Sequence, residues 1–193
     1  MTAADIQQIL RRIDTKSFNG IIVRCIPQLD FQDGNPPRYL FVSGKKNRCN
    51  PANVECVYFS ENEDTANAEF RLQWEGTKAE HQPKLTFRAG VNLTRVLDLA
   101  DQKIARKLDL IEADFFEGWR KKSDTILQAL GRVLSQQSCD KRISALRFPS
   151  NAAHRQGATG CNWVIFKTAV QRPDSVKILG RSGDPIEIWP EEC

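Results

Sequence analysis

No segment offers the roughly twenty consecutive apolar residues that span a bilayer. The first residues, Met1 to Lys16, lack the apolar run and small-residue cleavage site of a secretory signal. The expectation is a soluble, cytoplasmic protein. Histidine is scarce, with only His81 and His154, and none of the six cysteines (Cys25, Cys49, Cys56, Cys139, Cys161, Cys193) forms a Cys-x-x-Cys pair. That argues against a zinc site and, without an export signal, for reduced thiols rather than a disulfide framework. Glycine-loop nucleotide motifs are missing too. Gly44-Lys45 has Tyr39 and Lys46 where a phosphate-binding loop needs glycine and Ser or Thr, and no Gly-x-Gly-x-x-Gly follows a strand. No Gly-x-Ser-x-Gly elbow marks a serine hydrolase. Any nucleotide recognition therefore depends on side chains.

What is present is ordinary for a globular chain: 193 residues, 40% hydrophobic and 27% charged. The length suits one domain, 1–193, with residues 1–19 as a helical N-terminal extension. The formal charge of +4 is spread over Lys45/Lys46/Arg48, Arg120/Lys121/Lys122 and Lys141/Arg142 without interleaved aromatics. That pattern suits an anionic small molecule at least as well as a nucleic acid, and no direct nucleic-acid binding is expected.

Periodicity predicts a helix over Asp5 to Ile13, a strand over Gly20 to Ile26, a short strand at Leu40 to Val42 and a clear strand over Val54 to Ser60. Ser60 stands three residues before Glu63, a capping-box spacing that opens a helix to about Trp74. Two strands, Leu85 to Val91 and Arg95 to Leu99, precede a charged helix near Asp101 to Leu108. Asp114 to Lys122, with Phe115, Phe116 and Trp119, reads as an irregular lid or packing segment. Thr125 to Gln137 repeats apolar residues at helical spacing. Ile143 to Phe148, Cys161 to Phe166, Val176 to Leu179 and Ile186 to Trp189 close the pattern as strands, giving an α+β fold.

Against this frame a few polar side chains stand out. Arg24 interrupts the apolar strand IIVRCI, where a guanidinium needs solvent or an anion. Arg48 lies in the turn NRCNP. Tyr58 sits in an apolar strand, so its hydroxyl needs a partner. Glu69 shares a helix side with Ala66, Leu72 and Gln73, and a carboxylate there is either a boundary ion pair or a cleft residue. Ser150, at the end of a strand, and Asn162, at the start of an apolar run, would separately be turn and backbone-satisfying residues.

Together they resemble the RES family of NAD-degrading toxins. The segment FVSGKKNRCNPANVECVYFSENEDTANAEF is similar to that family's arginine turn, tyrosine strand and glutamate helix. Arg48 and Tyr58 are ten residues apart, and Tyr58 and Glu69 eleven. Arg24 falls at the early arginine strand, RFPSN at the late Pro-Ser motif and Asn162 at the asparagine after it. The family's Gly-Gly is replaced in the turn, and Cys49 stands in place of its tryptophan. The likeness spans Gly20 to Pro190.

The resemblance implies a mixed, split β core with flanking helices, similar to ADP-ribosyltransferase toxins, and cleavage of the nicotinamide–ribose bond of NAD by hydrolysis or phosphorolysis. Glu69, Arg48 and Ser150 would be catalytic, with Ser150 hydrogen-bonding a ribose or phosphate oxygen rather than acting as a nucleophile. Arg24, Tyr58 and Asn162 would bind substrate, with Tyr58 stacking on nicotinamide or lining its pocket. No cofactor or metal is implied, NAD being substrate and inorganic phosphate a candidate co-substrate. The implied partner is a helix-turn-helix antitoxin. Transfer of ADP-ribose to a protein and a non-enzymatic binding module remain alternatives.

Overall fold

The computed structural model describes residues 1–28, 39–40, 44–118, 125–136 and 142–190. Seven strands run through them: β1 (Lys16–Pro27), β2 (Cys56–Ser60), β3 (Lys84–Asp98), β4 (Ala145–Pro149), β5 (Cys161–Phe166), β6 (Ser175–Leu179) and β7 (Pro185–Trp189). The helices are α1 (Ala3–Leu10), α2 (Glu63–Trp74), α3 (Gln102–Lys107), α4 (Glu112–Phe116), α5 (Ile126–Ser135) and α6 (Asn151–Arg155).

The strands lie in the order β1-β2-β5-β4-β3-β6-β7, and β1 also pairs with β3. The first five therefore form a ring, with β6 and β7 continuing from β3. The sheet is mixed, since β3 and β4 are parallel and the other pairs antiparallel. Strand alternation sorts its side chains onto two faces. Val57, Phe59, Trp163 and Ile165 join Ile22, Phe87, Ala89 and Val91 in one core. Cys56, Val164 and Phe166 face a second core completed by Leu127, Leu130 and Leu134 of α5 and by Ile6 and Leu10 of α1.

The ring is weakest between β1 and β2, whose only register pair is Val23 with Ser60. Beyond it, Arg24 to Pro27 pair with β3 and Cys56 to Phe59 pair with β5. Among the described residues the strands thus part, and nothing pairs with the backbone they no longer share, which leaves a gap in the wall. Helix α2 packs against β1, β2 and α6 beside this gap.

Several local expectations change. Asn62, not Ser60, caps α2, accepting from the Thr65 N–H at 2.8 Å. Ser60 is instead the last residue of β2 and is buried. The two strands expected over Leu85 to Leu99 are one strand, β3. Asn92 and Thr94 are the outward half of an alternation whose inward half, Val91 and Leu93, stays buried, and Asp174 holds Thr94 in line by accepting from its N–H and hydroxyl, both at 2.7 Å. Helix α4, Glu112–Phe116, takes in the start of the segment Asp114 to Lys122 expected to be an irregular lid or packing segment, and Trp119 lies outside the described residues. So does most of the short strand expected at Leu40 to Val42, although Leu40 itself is in a turn. Residues 1–19 are helical only over Ala3–Leu10, because β1 starts at Lys16; α1 is part of the core, with Ile6 fully buried. Among the described residues no helix is long and apolar enough to cross a membrane.

Candidate active site

The gap between β1 and β2 opens into a cleft of about 800 Å³ lined by Arg24, Arg48, Tyr58, Glu69 and Asn162. Each reaches it from a different element. Arg24 comes from β1, Arg48 from the turn before β2, Tyr58 from β2, Glu69 from α2 and Asn162 from β5.

Glu69 is half-buried and firmly held. Its Oε1 accepts from Ser150 Oγ at 2.6 Å, from Asn162 Nδ2 at 2.6 Å and, more distantly, from the Ala152 N–H at 3.5 Å. Among the described residues nothing donates to Oε2. One oxygen is thus an anchor and the other remains available to a ligand in the cleft. Asn162 is oriented from behind, since Ser60 Oγ donates to its Oδ1 at 2.9 Å across the β2–β5 pair. Ser150 caps α6, accepting from the Ala153 N–H at 3.1 Å. Only 1% exposed and absent from the cleft wall, Ser150 positions Glu69 and does not itself reach into the cleft.

Tyr58 is also a holding residue. Its hydroxyl accepts from the Cys49 N–H at 3.0 Å and donates to Asn50 Oδ1 at 2.8 Å, tying β2 to the Arg48 turn. Burial pushes that hydroxyl well above its ordinary value, so it stays a neutral donor. Its ring packs edge-on to Phe148 at 6.4 Å. Asn50 closes the turn by donating from Nδ2 to the carbonyls of Lys45 (2.9 Å) and Pro51 (3.0 Å). Arg24 Nη1 reaches the Tyr39 carbonyl at 3.5 Å.

Helix α5 supports the same turn from the far side. The fully buried Gln128 donates from Nε2 to the Asn47 carbonyl at 2.8 Å, and Gly131 lets the Cys49 carbonyl rest directly on the helix. Neither residue emerges as functional from sequence. The available sign was Thr125-x-x-Gln128, a capping-box spacing that the structure contains. Cys49 is fully buried and does not line the cleft, so cysteine in this position changes the core beneath the turn rather than the wall of the site. Burial drives its thiol far above the ordinary range.

Lys45, Lys46 and Arg155 add positive charge to a lining whose other carboxylates are Glu75 and Glu117. Such a cleft favours an anionic ligand. Among the described residues no cluster of three His, Cys, Asp or Glu could hold a metal ion.

No curated protein matches the chain by sequence. Among solved structures, a chain of the M. tuberculosis MbcT-MbcA toxin-antitoxin complex is similar in fold, with a TM-score of 0.57 and 15% identity over 87% of this chain and 86% of that one. The RES domain model matches residues 21–187, from β1 into β7. That span contains every residue of the cleft constellation, and the chain belongs to the RES-domain family.

Proposed function

We propose that this chain is a toxin-type enzyme that cleaves the nicotinamide–ribose bond of NAD. The observation that carries the reading is Glu69, anchored through one carboxylate oxygen by Ser150 and Asn162 and presenting the other to a cleft shared with Arg24 and Arg48. The family membership supports it, as does a cleft volume within the usual range of about 300–1,000 Å³ for small-molecule sites. The parted strands β1 and β2 fit the split core of ADP-ribosyltransferase toxins.

In NAD the nicotinamide is already a cationic leaving group. When the bond from ribose C1″ to the ring nitrogen breaks, the electron pair stays with nitrogen and neutral nicotinamide departs. Positive charge moves to the sugar, as in glycoside hydrolysis. Glu69 Oε2 stabilises that charge or holds a ribose hydroxyl, and its anchored Oε1 means that little reorganisation is needed as charge develops. Arg24 and Arg48 present planar forks to the pyrophosphate or to an incoming phosphate. A water or phosphate oxygen then forms the new bond to C1″, with a water proton passing to Glu69 or solvent. A helix-turn-helix antitoxin closing the cleft is the partner that fits this role, and the complex in which the similar fold was solved supports a protein partner.

The test is nicotinamide release from NAD by the purified protein. Glu69→Gln keeps a side-chain oxygen for Ser150 and Asn162 but removes the charge, and is expected to lower the rate by about 10²-fold or more. An unchanged rate would remove Glu69 from the mechanism. Product analysis with phosphate present separates the acceptors: ADP-ribose-1″-phosphate indicates phosphorolysis and ADP-ribose hydrolysis.

A further inference from the structure

Asn151 follows Ser150 and precedes Ala152, the two residues of this segment that donate to Glu69 Oε1. It is 7% exposed and lines the cleft. Among the described residues no group donates to or accepts from its carboxamide. A buried amide normally finds partners for its two donor hydrogens and its oxygen. Because Asn151 is part of the cleft lining, that unused capacity is available to a ligand beside Glu69.

A second observation places a flat wall next to it. Three residues along α6 from Asn151, and so on the same side of the helix, His154 stacks on Phe116 with ring centroids 4.2 Å apart and planes 8° apart. Phe116 lines the cleft whereas His154 does not. The imidazole covers Phe116 from the outside and holds its plane, leaving the ring as cleft wall. Tyr58, the residue that family likeness assigns to nicotinamide, has its hydroxyl committed to the Arg48 turn.

We propose that Asn151 and Phe116 form the leaving-group subsite, Asn151 pairing its carboxamide with the carboxamide of nicotinamide and Phe116 lying against the pyridine ring. This rests on the NAD reading of the cleft. The chemistry is complementary: one amide offers N–H to the other's oxygen and accepts in return, and a pyridinium face stacks on an aromatic ring with added cation–π attraction. The pair would select dinucleotides with an intact 3-carboxamide, because an analogue without its N–H leaves the Asn151 oxygen unpaired.

The experiment compares NAD with 3-acetylpyridine adenine dinucleotide, in which methyl replaces the amide NH₂, on wild type, Asn151→Ala and Phe116→Ala. Binding of free nicotinamide to each protein is followed by ligand-observed NMR. Because the analogue differs in intrinsic reactivity, the readout is the change in the NAD-to-analogue ratio of kcat/KM between proteins. Asn151→Ala is expected to lower that ratio about tenfold, the loss of one directed hydrogen bond, and to weaken nicotinamide binding. Phe116→Ala is expected to raise KM for both substrates with the ratio nearly kept, and Phe116→Tyr to restore it. An Asn151→Ala protein that turns over NAD with the wild-type ratio overturns the subsite and leaves the NAD reading standing. If wild type cleaves neither dinucleotide yet binds nicotinamide in an Asn151-dependent way, the subsite stands and the enzymatic reading falls. Absence of both cleavage and nicotinamide binding overturns both. Melting curves identify any variant that is unfolded, and for such a position Asn151→Leu, which keeps much of the shape and removes both the donors and the acceptor, gives the same ratio test.

Discussion

Replacing Gly131 by alanine is the sharpest test of how the site is held. A Cβ there would lie 1.8 Å from the Cys49 carbonyl oxygen, 3.0 Å from its carbon and 3.4 Å from Asn50 Cα. Carbon and oxygen tolerate about 3.3 Å, so turn and helix must separate by about 1.5 Å. Alanine favours helix over glycine by about 1 kcal/mol, whereas inserting a group into a packed core costs about 1–3 kcal/mol or more. With a backbone carbonyl as the obstacle the clash wins, and for a chain of this size the melting temperature should fall by roughly 2–10 °C. The consequence for activity is larger. Arg48 adjoins Cys49, and a misplacement of about 1 Å can lower a rate on the order of 10²-fold. Nicotinamide release should therefore fall far more than the folded fraction at 25 °C. Wild-type melting and wild-type turnover together would refute the claim that α5 sets the position of the Arg48 turn.

Tyr58→Phe removes both hydrogen bonds of the hydroxyl and leaves Asn50 Oδ1, on a residue 2% exposed, without its donor. Thermal or urea unfolding should show a loss of about 1–3 kcal/mol, and no loss would mean that the hydroxyl does not tie the turn. Ser60→Ala releases the Asn162 amide from behind. A fall in kcat of about fivefold to tenfold with little change in KM is expected, and an unaltered kcat would place Ser60 outside the support of Glu69. Burial raises the Cys56 thiol from 9.0 to about 12 and the Cys161 thiol from 9.0 to about 11. The unfolded chain then loses these protons first as pH rises. Stability is unaffected by them below pH 9 and declines above it, by about 1.4 kcal/mol per pH unit from Cys56 alone. Melting temperatures that stay level from pH 9 to 11 would contradict this.

Much of the molecule could be read locally. Cys161–Phe166 is a strand over its expected bounds, and α5 follows the apolar spacing of Leu127, Leu130 and Leu134. The misreadings share a cause. Ser60 has the right spacing for a helix cap, yet Asn162 across the sheet claims its hydroxyl and Asn62 caps instead. Asn92 and Thr94 look like a break in a strand until Asn19 of β1 pairs with Asn92 and Asp174 accepts from the Thr94 N–H, where the β1 pairing shifts register. In both cases a long-range partner outweighs a local preference worth about 1 kcal/mol.

By itself the sequence determined the elements, the two-faced alternation of the strands and the identity of the unusual polar residues, because periods of 2 and 3.6 act over a few neighbours. Only the tertiary structure decided their roles. Ser150 and Asn162 meet Glu69 from 81 and 93 residues away, Gln128 meets Asn47 from 81, Ser150 stands behind the cleft wall, and Tyr58, which lines the cleft, commits its hydroxyl to the Arg48 turn. Hydrogen bonds among distant buried groups obey geometry that no local spacing encodes. That Glu69 Oε1 accepts three bonds, and Oε2 none among the described residues, follows from how α2, β5 and the start of α6 meet in space.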